Sequence, residues 1–292
     1  MTKMKSAFAL ALLVALLLPS AGNCADLAEI RANGVLRHLG IPYANFVTGA
    51  GDGMDVELMQ RFAAHLGVRY EYVRTDWGTV VADLTGRQVK PSGNDVELLE
   101  KSPVKGDVIA NGFTKLPWRE KIVEFSTPTF PSQIWLIARA DSAIRPIKPG
   151  NKISRDIAAT KRRMKGKKVL AQRNTCLDPD LYNLQATGAE VISFNGNVNE
   201  IAPAVINGEA EIAILDAPDA LIALGKWPGK IKIIGPVSPP QEMAVAFPKN
   251  AHRLRDAFNR FLQQCKRDGS YSKLVGKYYP TATTYFPEFF LK

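Results

Sequence analysis

The 292 residues are 46% hydrophobic and 9% aromatic, with 38 basic against 28 acidic side chains and a formal net charge of +10. That length and apolar content suit two domains with cores of their own and exclude a disordered or low-complexity chain. Three histidines, His38, His65 and His252, stand far apart and away from the cysteines, so no metal site, no cofactor and no nucleophile–base pair is expected.

Lys3 and Lys5 precede an apolar run from Ala7 to Leu18, followed by Pro19-Ser20-Ala21-Gly22. This is the plan of a signal peptide, residues 1–25, too short for a membrane span of roughly 20 apolar residues. Cleavage is expected between Gly22 and Ala25. Lipidation at Cys24 is the alternative, disfavoured because Asn23 stands where a small residue is wanted. Without Lys3 and Lys5 the exported chain keeps 36 basic and 28 acidic residues, a net +8.

A strand is expected at Val35 to Leu39, then a loop carrying Tyr43 and Phe46. Gly53-Met54-Asp55-Val56-Glu57-Leu58 enters a helix whose apolar positions Val56, Met59, Phe62 and Leu66 recur at helical spacing and stop at Gly67. Val68 to Val73 alternates like a strand, and Trp77 precedes a helix ending near Leu84. Pro91, Ser92, Gly93 and Pro103 mark residues 86–106 as a surface loop around a helical turn at Asp95 to Leu99.

Next, the apolar run Val108-Ile109-Ala110 delivers Gly112-Phe113-Thr114-Lys115-Leu116-Pro117-Trp118-Arg119, and Phe125-Ser126-Thr127-Pro128 follows. A glycine, a hydroxyl and a guanidinium at the carboxyl end of a strand stand where open α/β sheets bind small molecules. Arginine's planar fork meets a carboxylate bidentately, and glycine admits a ligand close to the backbone. Taken alone, the same loop is also what a structural salt bridge needs.

Further strands are expected at Ile134 to Ala138, Lys168 to Ala171, Glu190 to Phe194, Ile212 to Leu215 and Lys232 to Ile234, with helical segments between them. Basic residues cluster from Lys148 to Lys168 without aromatic interleaving, so a solvated face is expected and no nucleic-acid partner. Asp216 follows a buried strand; by itself it is a helix N-cap. Leu254, Phe258, Phe261, Leu262 and Cys265 share one face of a last helix ahead of Gly269, and the tail from Tyr278 to Phe290 is aromatic.

The strand, Gly-x-Thr-x-x-x-x-Arg, aromatic-Ser-x-Pro sequence resembles the lobe 1 signature of the family 3 periplasmic solute-binding proteins, the amino-acid receptors of ABC importers. Gly53 to Leu58 is similar to that family's Gly-Phe-Asp-Val-Asp-Leu. The resemblance covers about Asp26 to Pro280. It implies an α/β, two-lobed periplasmic binding protein type II fold with two crossovers between lobes. Lobe 1 would take residues 26–139, with 86–106 inserted where relatives place a short turn. Lobe 2 would take 140–243, and 244–292 would return to lobe 1, with the aromatic tail on that lobe's surface. Cys176 and Cys265 would then sit on different lobes, as free or transiently paired thiols.

By the same resemblance Arg119 grips a ligand carboxylate beside Gly112 and Thr114, and Asp216 holds its α-ammonium. Gln172, Thr175 and Cys176 match the place where relatives write Gly-Thr-Thr at the start of a helix, whose N–H groups and dipole favour a carboxylate. Asn174 and Cys176 depart from that motif. Tyr43 and Trp77 match positions where relatives sandwich the ligand. Gly40 stands where receptors for basic or polar amino acids carry an aspartate, which argues against a lysine or arginine receptor and favours a less polar or acidic ligand.

The expected function is therefore capture of a small carboxylate, an amino acid, by hinge closure, with no catalysis, by a periplasmic monomer that hands its ligand to a membrane permease of an ABC importer. The alternatives are a cyclohexadienyl dehydratase-like enzyme on the same architecture, with Asp216 as its acid, or a ligand-sensing module akin to the amino-terminal domain of lytic transglycosylases.

Overall fold

The structure is a computed structural model that describes residues 25–290, so the expected signal peptide and Cys24 lie outside the described residues. The chain begins with α1 (Leu27–Asn33), β1 (Val35–Gly40), α2 (Met54–Leu66), β2 (Arg69–Arg74) and α3 (Val80–Thr85). A hairpin of β3 (Arg87–Ser92) and β4 (Asp95–Lys101) precedes β5 (Val108–Ile109), the single turn α4 (Pro117–Glu120) and β6 (Val123–Phe125). Then come β7 (Phe130–Ser132), β8 (Ile134–Arg139), α5 (Ile153–Arg162), β9 (Lys168–Ala171), β10 (Glu190–Ser193), α6 (Ile201–Asn207), β11 (Ile212–Asp216), α7 (Ala217–Lys226) and β12 (Ile231–Pro236). The last elements are β13 (Gln241–Met243), β14 (Ala246–Pro248), α8 (His252–Arg267), α9 (Ser270–Tyr278), α10 (Ala282–Tyr285) and α11 (Pro287–Phe290).

Two five-stranded sheets define two lobes, ordered β2-β1-β5-β14-β6 and β10-β9-β11-β8-β12. In each, four strands share one direction and the fifth, entering from the other side of the hinge, runs against them: β14 pairs antiparallel with β5 and β6, and β8 with β11 and β12. The connecting segments β7 and β13 pair with each other, so the two crossings form one two-stranded hinge.

α2 follows the expected pattern. Val56, Met59, Phe62 and Leu66 are buried, Gly67 ends the helix in the left-handed region, and acidic Asp55 and Glu57 stand in its first turn. On α8 the face of Leu254, Phe258, Phe261, Leu262 and Cys265 is likewise buried.

Three expectations are corrected. Residues 87–101 form a hairpin, not a loop with a helical turn: Gly93 and Asn94 make a two-residue turn with Gly93 at φ +58°, and Val89 and Val96 turn toward the core of lobe 1. Pro91 is tolerated because it lies on a two-stranded ribbon with a free edge. Second, the crossing comes before β8 and not at 139/140. The run Ile134 to Ala138 is wholly buried because it is bonded on both edges within the second sheet. Third, the tail does not stay on lobe 1: Phe286 stacks on Trp135 of β8 at 6.0 Å, Tyr285 lies 5.9 Å from the same ring, and Phe290 meets Phe130 of β7 at 5.5 Å.

Candidate functional site

The loop after β5 is fixed from below. His38 of β1 donates through Nε2 to the Ala110 carbonyl at 2.6 Å and accepts from the Tyr70 hydroxyl at Nδ1, 2.8 Å away. Burial keeps this imidazole neutral, its pKa pushed down to about 4. Gly112 has φ +63° and donates its N–H to Asp55 Oδ2 at 2.7 Å; a Cβ there would lie 2.4 Å from the buried Phe46 ring. Burial raises the Asp55 carboxyl to about 7 against the pull of that N–H. Pro117 then opens α4, which carries Trp118 and Arg119 inward.

Arg119 is 2% exposed. Its Nη1 donates to the Thr114 carbonyl at 2.9 Å, its guanidinium lies 3.9 Å from the Phe113 ring and 5.2 Å from that of Trp118, and its Nε has no partner. Among the described residues no carboxylate forms an ion pair with it. Burial lowers its pKa to about 10, opposed by Cys176, Tyr182 and Asp216 of the other lobe. Thr114 Oγ1 is also buried without a hydrogen-bond partner, as is the whole amide of Asn111. A buried cation with no acid beside it among the described residues, on the loop that carries an unsatisfied hydroxyl, is what a carboxylate satisfies.

On lobe 2, Asp216 is wholly buried at the start of α7, yet its side chain makes no cap bond. It accepts from Ser132 Oγ at Oδ1 and from Cys176 Sγ at Oδ2, 3.3 Å away. Burial raises its pKa to about 7, with Cys176, Tyr43, the Ala217 N–H and Arg119 holding it down. Tyr43 is buried, and its hydroxyl is directed to Asp216, short of a well-formed hydrogen bond. Its ring stacks on Phe46 at 6.0 Å and meets Trp77 edge-on at 5.6 Å. Burial and Asp216 push the Cys176 thiol well up, so it acts as a donor and not as a nucleophile.

Of the nine residues singled out from sequence, Arg119, Thr114, Tyr43, Asp216 and Cys176 converge, Gly112 shapes the loop beneath them and Trp77 flanks Tyr43. Gln172 and Thr175 are engaged within lobe 2. Gln172 Nε2 donates to the Gly196 carbonyl at 2.8 Å; Thr175 Oγ1 donates to the Gln172 carbonyl and accepts the Leu177 N–H. No helix opens at Thr175: the segment makes tight turns, with Asn174 at φ +62°, into a 3₁₀ turn at Pro179–Tyr182. Ser132, Tyr182 and Asp219 join the site without having been anticipated. Tyr182 donates to the Cys176 carbonyl at 2.6 Å, and Asp219 stands one helical turn after Asp216. Only Asp219 had a sequence signal, the second acid of Asp-Ala-Pro-Asp.

The lobes are shut on each other. The Ala44 N–H donates across the gap to Asn199 Oδ1 at 2.8 Å, and the hairpin tip Pro91-Ser92-Gly93 faces Arg173 and Asp178 across a cavity of about 170 Å³.

The amino-acid-binding protein AabA of Dichelobacter nodosus is 25% identical over 232 residues, covering 79% of this chain and 85% of that protein. The membrane-bound lytic murein transglycosylase F of Desulfosudis oleivorans is 26% identical over 237 residues, 80% of this chain; the chain spans only 45% of its length. A solved mutant of ArgBP from T. maritima superposes with a TM-score of 0.68 at 25% identity, covering 87% of this chain and 99% of that one. The signature of the bacterial extracellular solute-binding proteins, family 3, matches residues 96–281, and the chain belongs to that family.

Proposed function

We propose that the protein is a periplasmic receptor that captures an amino acid by closing its two lobes and delivers it to the permease of an ABC importer. The observation that carries this reading is the pairing of opposites across the cleft: among the described residues Arg119 of lobe 1 has no counter-anion, and Asp216 of lobe 2 is held by neutral donors only. A zwitterion supplies what each lacks, its carboxylate to Arg119 and Thr114, its ammonium to Asp216. Closure buries both pairs, where charge-assisted bonds gain strength. Tyr43 and Trp77 are then available to the ligand's side chain. Thermal-shift screening of the twenty amino acids, followed by calorimetry, tests the reading; a protein that none of them stabilises would overturn it.

One observation favours an enzyme instead. Asp216, with its pKa raised to about 7, is a buried acid beside an arginine, which is what protonating the leaving hydroxyl of a carboxylated ring requires. Turnover of prephenate or arogenate by the purified protein decides between the two.

A further inference from the structure

Between the lobes, beside the clamp, lies a second cavity of about 230 Å³. Ala44, Asn45 and Thr48 of lobe 1 form one wall, and Asn199, Asp219 and Trp227 are on the other. Asp219 is 6% exposed and has neither a hydrogen-bond donor nor an ion-pair partner among the described residues. Its surroundings make this costly: burial and the neighbouring Asp216 push its carboxyl up to about 8. Lys226, two turns further along α7, lines the same cavity, but its ammonium rests 4.7 Å over the Trp227 ring and pairs with no acid among the described residues. Both Asp216 and Asp219 lie close enough to the Tyr43 hydroxyl to raise its pKa.

Position 40 offers no counter-charge for a ligand side chain, because a Cβ there would lie 2.3 Å from the Tyr72 ring. Asp219 does. It stands in the first turn of α7, three residues after Asp216, which precedes that helix, and close enough for Asp216 to raise its pKa, so a ligand whose α-ammonium sits at Asp216 brings its side chain near it. A buried carboxylate without a partner, in a cavity edged by an indole and by amide groups, is complementary to an ammonium or guanidinium group.

We propose that Asp219 anchors a second, cation-selective subsite of the cleft, so that the captured amino acid carries a positive group on its side chain. This rests on the amino-acid reading above, and it reverses the preference for an uncharged or acidic ligand that Gly40 suggests. The α-groups fix one end of the solute at Arg119 and Asp216. Its side chain passes Tyr43 and places its cation at Asp219, where Asn199 closes the cavity as the lobes meet.

Calorimetry of the mature protein with L-arginine and with L-citrulline, its uncharged isostere, tests this, together with L-lysine and L-glutamine. The wild type is expected to prefer the cationic member of each pair by about ten-fold or more. Asp219→Asn should bring each pair within about three-fold, with the loss falling mainly on arginine and lysine, and Asp219→Glu should restore part of the preference. Equal binding of charged and uncharged members by the wild type, or a preference that survives in Asp219→Asn, would overturn the subsite and leave amino-acid capture standing. Failure of all four to bind, with no other amino acid stabilising the protein, would overturn the underlying reading and the subsite with it.

Discussion

Replacing Arg119 by methionine separates binding from folding. Lowering the arginine's pKa from 12.5 to about 10 means that the fold charges this group at a cost of roughly 3 kcal/mol. Against that stand one hydrogen bond to the Thr114 carbonyl, about 1.5 kcal/mol, and stacking on Phe113 and Trp118, about 1 to 2 kcal/mol. The two sides nearly cancel, and methionine refills most of the volume with apolar contact. Calorimetric melting of Arg119→Met should therefore stay within about 1 kcal/mol of the wild type, a few degrees for a chain of this size. Its affinity for the amino acid that binds the wild type should fall far more, by about 2 to 5 kcal/mol, or roughly thirty- to several-thousand-fold, because a buried carboxylate would be left without its partner. Unchanged affinity refutes the clamp. A large loss of stability refutes the ledger, and would show that Arg119 is held by the fold for its own sake.

Other perturbations probe the same architecture. Asp216→Asn should cost about thirty-fold in affinity for a zwitterion but little for the same carboxylate lacking its α-ammonium, by calorimetry; equal losses for both would remove the ammonium role. Gly112→Ala combines a left-handed φ with a Cβ 2.4 Å from the Phe46 ring, so urea unfolding should report a loss of about 2 to 4 kcal/mol, whereas a loss under about 0.5 kcal/mol would mean that Phe46 yields freely. Stability of the ligand-free protein should decline from pH 5 to pH 8. Asp55 and Asp216 have pKa values near 7 and Asp219 near 8, above the ordinary carboxylate range, so the folded state holds protons that the unfolded state has released, and that advantage is lost as pH rises through 7 to 8. His38, lowered to about 4, opposes this only below pH 6.5 and is one group against three. Urea midpoints that rise across the window would contradict the burial of these carboxyls.

How much of this was legible depends on range. α2 and α8 announce themselves because burial on one helical face leaves a 3.6-residue period, and Gly67 marks a stop that needs only local geometry. The parallel strands show as short apolar runs because both of their faces are covered. The hairpin at 87–101 was missed because two prolines outweighed a Gly-Asn turn. The place of β8 depends on which strands it pairs with, and nothing in Ile-Trp-Leu-Ile-Ala distinguishes one sheet from the other. In the site, Arg119, Thr114 and Asp216 were visible as motif members. That Asp216 turns away from its own helix terminus toward Ser132 and Cys176 was not, since those partners lie 84 and 40 residues away. Thr175 shows the opposite error, in which a motif position is taken up by its own loop.

The C-terminal aromatic tail changes how the clamp can move. Tyr278 and Tyr279 are tied to lobe 1, their hydroxyls meeting the backbone N–H groups of Gly53 and Asn45, while eight residues on from Tyr278, Phe286 lies flat on Trp135 in the other lobe. Besides the two covalent crossings, a third, non-covalent span therefore bridges the lobes on the hinge side. A strap fixed on either side of a two-stranded ribbon adds a restraint that the ribbon alone does not supply. Any change in the angle between the lobes has therefore to rearrange the stack of Phe286 on Trp135 as well as the two crossings.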